Sequence, residues 1–419
     1  MSAPSRRRWV RIAGPAFTFA LSFALACGDS GDSSGSRVGT LMIASGDQQQ
    51  APTEGALPKP IQIRVVGKDG NVLPGVTVRF DTLAGRGSFI EPFVVSDQKG
   101  IASARYNVGR LPVRNRMRAS ITGSSVDLEA MALNTHPPVP FQRIDGLPLP
   151  EGLAFDNAGN ALVTSQLNGS VLEIHPGPFK TSDQFVSEYL YRGKSNSSLT
   201  GIALDAAGNL FACDNRTGSI VKIDGSEEPK IFVEGYQFEP FALPNGIAVH
   251  PRTNEIYFSD SERNRIYRVN PQGKGLAIAT EAVPQPNGLA FSAAGDVLYV
   301  ASLSGGVFTV PLDRDGAAGT PTRIADVPTA DGLALDQDGN VFATGTEVGK
   351  LTSGVYLIPA DGSPPFRYFT APNGKIYANI AFGRAGFNVT SLYLVSLNGT
   401  LDEVELGSPG LVLPGPPAG

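Results

Sequence analysis

The sequence predicts an all-β protein, a β-sandwich followed by a six-bladed β-propeller, and three observations carry that prediction. The 419 residues include 49 Gly and 33 Pro, about a fifth of the chain, too many for helix interiors, which exclude both. Hydrophobic residues make up 41% and charged residues 17%, which is too apolar for a disordered chain. A short motif also recurs with a period near forty-five residues over the C-terminal two thirds. The formal charge of −5 gives no electrostatic reason to expect nucleic acid as a partner.

The N-terminal segment is set apart first. Arg6, Arg7, Arg8 and Arg11 precede an apolar stretch, residues 12–26, that ends in small residues before Cys27. This reads as an export signal over residues 1–26, too short and one-sided for a membrane span. Ala24-Leu-Ala-Cys27 resembles the bacterial lipobox, which implies that Cys27 is the lipidated first residue. Residues 27–37, rich in Gly, Ser and Asp, then serve as a flexible tether. Gly28 rather than Asp follows Cys27, which fits outer-membrane or cell-surface sorting; without lipidation the protein would be secreted or periplasmic. Removing the signal takes away four Arg and no acid and lowers the formal charge from −5 to −9. An acidic surface favours cations over phosphate-bearing partners. Cys213 remains as the sole further cysteine, so no internal disulfide is expected.

Residues 38–133 read as antiparallel strands. Ile61–Val66 and Val76–Phe80 alternate apolar with polar residues around a turn at Lys68-Asp-Gly-Asn71, as half-buried strands do. With Gly85-Arg-Gly87, Ser96-Asp-Gln-Lys-Gly100 and the strand after it, this order resembles bacterial immunoglobulin-like domains of the invasin and intimin type. The resemblance implies a β-sandwich acting as a spacer or adhesive stalk, with a possible surface partner. Residues 134–140, containing His136-Pro-Pro-Val-Pro140, read as a stiff linker.

The propeller is read over residues 141–415. Gly152-Leu-Ala-Phe, Gly201-Ile-Ala-Leu, Gly246-Ile-Ala-Val, Gly288-Leu-Ala-Phe, Gly332-Leu-Ala-Leu and Asn379-Ile-Ala-Phe recur at steps of 49, 45, 42, 44 and 47 residues. Each is followed by a more apolar strand, such as Leu210-Phe-Ala-Cys, then a third, such as Arg265-Ile-Tyr-Arg-Val, and a more variable fourth. Four strands per repeat is one propeller blade. Ring closure requires an outer strand from the other end of the module, with Phe141–Ile144 and Leu411–Leu413 as the two candidates.

The residues immediately before the repeated Gly are Glu151, Thr200, Asn245, Asn287 and Asp331, with Ala378 in the sixth unit. Innermost strands line a propeller's channel, so these positions converge as a ring. Two carboxylates and two amides suit a hard divalent cation, Ca²⁺ foremost, whereas zinc would call for His or Cys. Asn-Gly and Asp-Gly are ordinary turn sequences, but turn chemistry does not favour Glu151.

On Pro150-Glu-Gly152, Pro244-Asn-Gly246, Pro286-Asn-Gly288, Ala330-Asp-Gly332 and the final Ala381-Phe-Gly383, the propeller resembles the gluconolactonase/regucalcin (senescence marker protein) family. The resemblance implies one divalent metal, usually calcium, held by Glu151, Asn245, Asn287 and Asp331. It further implies metal-assisted hydrolysis of a lactone or related ester, with Asp331 as the base. Thr200 and Asp260 are secondary candidates, Asp260 being either a supporting residue behind the ring or a solvated one. The competing class is a non-catalytic propeller that binds a partner, displayed on the immunoglobulin-like stalk.

Other patterns carry less. Asp156-Asn-Ala-Gly-Asn160, Asp205-Ala-Ala-Gly-Asn209 and Asp336-Gln-Asp-Gly-Asn340 recur at one place in the blade and lack the later Glu of a calcium loop, so they read as hairpin turns. Gly31-Asp-Ser-Ser-Gly35 fits a nucleophile elbow in spacing but lies in the tether. His136, His175 and His250 are expected at the surface, and Cys213 as a small buried residue.

Overall fold

The computed structural model describes residues 38–175, 186–193, 196–223 and 229–412. The export signal, Cys27, the tether and residues 413–415 of the expected propeller lie outside them. The chain is all-β: its strands are joined by turns, and a single 3-10 turn, Pro372–Gly374, is the one helical element among the described residues. None of these residues forms a helix long and apolar enough to cross a membrane.

Two larger sheets and a two-stranded one, Ser88–Phe89 with Tyr106–Asn107, form the N-terminal module. One has three strands, Val38–Ser45, Ile61–Gly67 and Ile101–Ala104; the other has five, in the order Gln49–Pro52, Ser124–Leu133, Arg114–Ile121, Thr77–Ala84 and Phe93–Val95. Alternation decides which face is buried. Ile61, Ile63 and Val65 point inward with no exposure, as do Val78, Met117 and Ala119 from the second sheet, and all belong to one core.

Six four-stranded antiparallel sheets follow, called blades I to VI here, with innermost strands Pro150–Phe155, Leu199–Leu204, Pro244–Val249, Pro286–Phe291, Ala330–Leu335 and Tyr377–Phe382. Each innermost strand touches the next, and blade VI touches blade I, so the sheets close into a ring. Second strands are covered on both faces by neighbouring blades, which is why Ala161–Ser165, Leu210–Asp214 and Ile256–Asp260 are buried at every position.

Closure uses the N-terminal candidate. Phe141–Ile144 pairs antiparallel with Thr400–Glu405 as the outer strand of blade VI. A buried cluster fastens it: Lys375 Nζ donates to both Asp402 oxygens at 2.7 and 2.8 Å and to Gln142 Oε1 at 2.9 Å, and Tyr377 Oη donates to Asp402 at 2.7 Å.

The Pro-rich segment does not hold the first module away from the ring. Leu111 and Val113 belong to the same apolar core as Tyr368, Phe369 and Val404 of blades V and VI. Arg86 makes a two-point ion pair with Asp338, Arg114 N donates to Asp361, and Asn134 Nδ2 donates to the Tyr368 carbonyl.

Candidate metal centre

Glu151, Thr200, Asn245, Asn287, Asp331 and Ala378 each occupy the second position of an innermost strand. The following Gly explains how tightly these strands approach one another. A Cβ on Gly152, Gly201, Gly246 or Gly288 would stand 2.0–2.4 Å from the carbonyl oxygen of Thr200, Asn245, Asn287 or Asp331 of the next blade. Any larger residue would push two ring positions apart. Asn379 takes the sixth Gly position, and its Oδ1 accepts from Ile380 N.

Hydroxyls then tie blade to blade. Ser259 Oγ accepts from Gly246 N at 2.8 Å and donates to the Asn287 carbonyl at 2.9 Å. Thr164 does the same between Gly152 and Thr200, and Thr344 between Gly332 and Ala378. The main chain beneath the candidate ligands is therefore hydrogen-bonded around much of the ring.

The strand entries are fixed in two ways. Asp260 is fully buried, and its oxygens accept the backbone N–H groups of Ala242 and Leu243 at 2.9 Å, three and two residues before Asn245. Asp214 accepts from Ser198 N before Thr200 in the same manner. At the equivalent position of blades I and IV, Ser165 and Ser302 donate to the carbonyls of Pro148 and Pro284. Leu149, Gln285 and Thr329, each two residues before Glu151, Asn287 and Asp331, adopt φ of 46°, 39° and 40°. Non-glycine residues rarely hold this left-handed conformation, and a β-branched Thr is an outlier there.

The electrostatics single out the same three residues. Glu151 is 4% exposed and Asn287 3%, while Asn245 and Asp331 keep some accessible surface. Burial pushes the Glu151 carboxyl up to about 7, partly opposed by a hydrogen bond from Gln166. Asp331 is held well above the usual carboxylate range, first by desolvation and then by the Glu151 charge, against a hydrogen bond from Asn287. The Glu151 charge thus acts on Asp331 where both are desolvated, and among the described residues neither carboxyl forms an ion pair. Glu151, Asn245, Asn287 and Asp331 offer oxygen donors only, two carboxyls supplemented by two amides; among the described residues no three His, Cys, Asp or Glu side chains gather in one place. That chemistry fits a hard divalent cation, whose charge would offset the buried carboxylates.

Some sequence expectations change and others hold. The Thr200 hydroxyl is fully buried and donates to the Pro244 carbonyl at 3.0 Å, so it ties blade II to blade III. Asp260 is not solvated. His250 is not at the surface: it is 5% exposed, bonded through Nε2 to the Gly295 carbonyl at 2.9 Å and set edge-on against Phe291. His175 caps a hairpin through Asn160, and His136 bonds its neighbour Thr135. Cys213 is fully buried, and burial pushes its thiol up. In the three Asp-x-x-Gly-Asn turns, Asp156, Asp205 and Asp336 each accept the Asn N–H four residues on. Gln166 escaped the sequence reading because no repeat marks it; it follows the second strand of blade I and meets Glu151 only through the fold.

With this geometry in place, likeness to known proteins can be judged. Residues 262–398 match the family model described as SMP-30/Gluconolactonase/LRE-like region. That span holds Asn287 and Asp331 but neither Glu151 nor Asn245. A gluconolactonase of Zymomonas mobilis is 24% identical over 217 residues, 44% of this chain; the match spans 58% of that protein's length. Among solved structures, a gluconolactonase from Xanthomonas campestris has a TM-score of 0.53 at 21% identity, covering 66% of this chain and 95% of its own. Regucalcin from Agrobacterium tumefaciens, described as a calcium-binding protein, has a TM-score of 0.52 at 18% identity, with coverage of 67% and 97%. These likenesses establish the propeller fold.

Proposed function

We propose that the protein is an exported, divalent-cation-dependent hydrolase of lactones or related esters, anchored to a membrane through lipidated Cys27. The observation that carries the reading is the repeat-equivalent placement of Glu151, Asn245, Asn287 and Asp331, with both acids desolvated and the Glu151 charge acting on Asp331. The partial match to a gluconolactonase names the substrate class. Glu151, Asn245, Asn287 and Asp331 would hold the cation, Ca²⁺ before others. When bound, it supplies Lewis acidity toward a carbonyl oxygen and charge that keeps both carboxyls ionised.

The chain's own groups divide the remaining work. Asp331 accepts a proton from the water that attacks the carbonyl carbon, and returns it to the ring oxygen as the C–O bond breaks, leaving a hydroxy acid. Asn287 orients Asp331 through its hydrogen bond, and Gln166 does the same for Glu151. The first module, read as immunoglobulin-like, presents the propeller at the surface.

The test is hydrolysis of a lactone panel with Ca²⁺ and after chelation. Turnover should require the cation, and Asp331→Asn should lower it about a hundredfold or more while leaving the fold intact. Full activity in that variant removes Asp331 as the base; cation binding with no turnover on any lactone favours the binding module instead.

A further inference from the structure

The innermost strands enclose a second feature, at the channel end away from the ring. Beyond Gly201, Gly246 and Gly288 their outer halves surround a cavity of about 520 Å³. Its wall is apolar, with Leu204, Val249, Phe291 and Phe382 among the side chains that face it. Leu204, Val249 and Phe382 are only half-buried although they sit on the innermost strands of a closed ring. Water gains little from such a wall, because an apolar cavity offers it few hydrogen-bond partners.

The mouth is shaped by the chain's own C-terminal stretch. Gln337 N donates to the Pro409 carbonyl at 3.0 Å, Gly410 N to the Val389 carbonyl at 3.2 Å and Leu411 N to the Leu335 carbonyl at 2.9 Å. Gly410 lies so close to Phe382 that a Cβ there would stand 2.2 Å from the Phe382 Cβ and 2.4 Å from its ring Cγ. One charged residue lines the cavity, Arg384; it is exposed, and its guanidinium has no partner among the described residues.

We propose that this channel end is a binding site for a single-chain alkanoate, its apolar tail in the cavity and its carboxylate on Arg384. The volume suits a small-molecule pocket, whose usual form is an apolar wall with few fixed polar groups. A guanidinium pairs with a carboxylate at two points. Burying a chain of about ten methylenes contributes far more to affinity than the head group does, so tail length dominates affinity and Arg384 sets the sign of charge.

Calorimetric titration of the full mature chain with dodecanoate, kept below its micelle concentration, tests the site directly. The expected result is saturable binding at one site, no binding of acetate, and weaker binding of dodecyltrimethylammonium. Arg384→Glu should weaken dodecanoate about tenfold or more. Ala290→Phe, which fills the cavity from its wall, should abolish binding; Arg384 is exposed, so its variant also reports if the core variant misfolds. Absence of dodecanoate binding, equal binding of the cationic amphiphile, or binding unchanged in Arg384→Glu would overturn the proposal.

Discussion

At the residue scale, the ring places two acids where water is scarce, and this has a consequence for stability. Glu151 has its metal-free value raised from 4.5 to about 7, and Asp331 shifts in the same direction. A carboxyl raised in the folded state favours folding below its unfolded value, and that contribution is lost as pH rises through the folded value. Chelated protein should therefore lose stability between about pH 4.5 and 7, by about 3 kcal/mol for Glu151 alone. Thermal melts at stepped pH should show this slope, Glu151→Gln should flatten it, and added Ca²⁺ should remove it. A chelated protein equally stable at pH 5 and pH 8 would contradict the buried acid pair.

The positions of the four candidate ligands were legible in the sequence because each is followed by the repeated Gly. The reason for that Gly was not. It lies in a carbonyl of the next blade, some forty-five residues away, which no local pattern displays. Asp260 was left between two readings, and His250 was misjudged, for the same reason. The groups that bury them, the Ala242–Leu243 entry and the Gly295 hairpin, come from outside their own turns.

At the element scale, the repeat made the blades readable, since four strands recur with the same register. The closing strand was undecided in the sequence because both ends offer a short apolar run. The Lys375–Asp402–Gln142 cluster accounts for the outcome, since Lys375 is 7% exposed and Asp402 not at all, and Gln142 sits on the closing strand itself. Lys375→Met should cost about 3–5 kcal/mol, because Asp402 is left as an unpaired buried charge. Chemical denaturation measures this, and a loss below 1 kcal/mol would mean that backbone pairing alone closes the ring.

At the scale of the whole molecule, the first module and the propeller share an apolar core. The first module reads as a spacer joined by a stiff linker, yet its Leu111–Val113 stretch packs on blades V and VI, a contact invisible to alternation within either module. Leu111→Asp should therefore lower the melting temperature of the propeller as well as that of the sandwich, by several degrees, as buried charges do. Calorimetry with propeller stability unchanged would mean that the contact is incidental.

The proposed cation site is where the two acids, the blade-to-blade ties and the three left-handed strand entries converge. Calorimetric titration of Ca²⁺ into chelator-treated protein tests it most directly. The predicted result is one saturable site, lost in Glu151→Gln and strongly weakened in Asn287→Ala. No heat of binding, or binding unchanged in both variants, would contradict it.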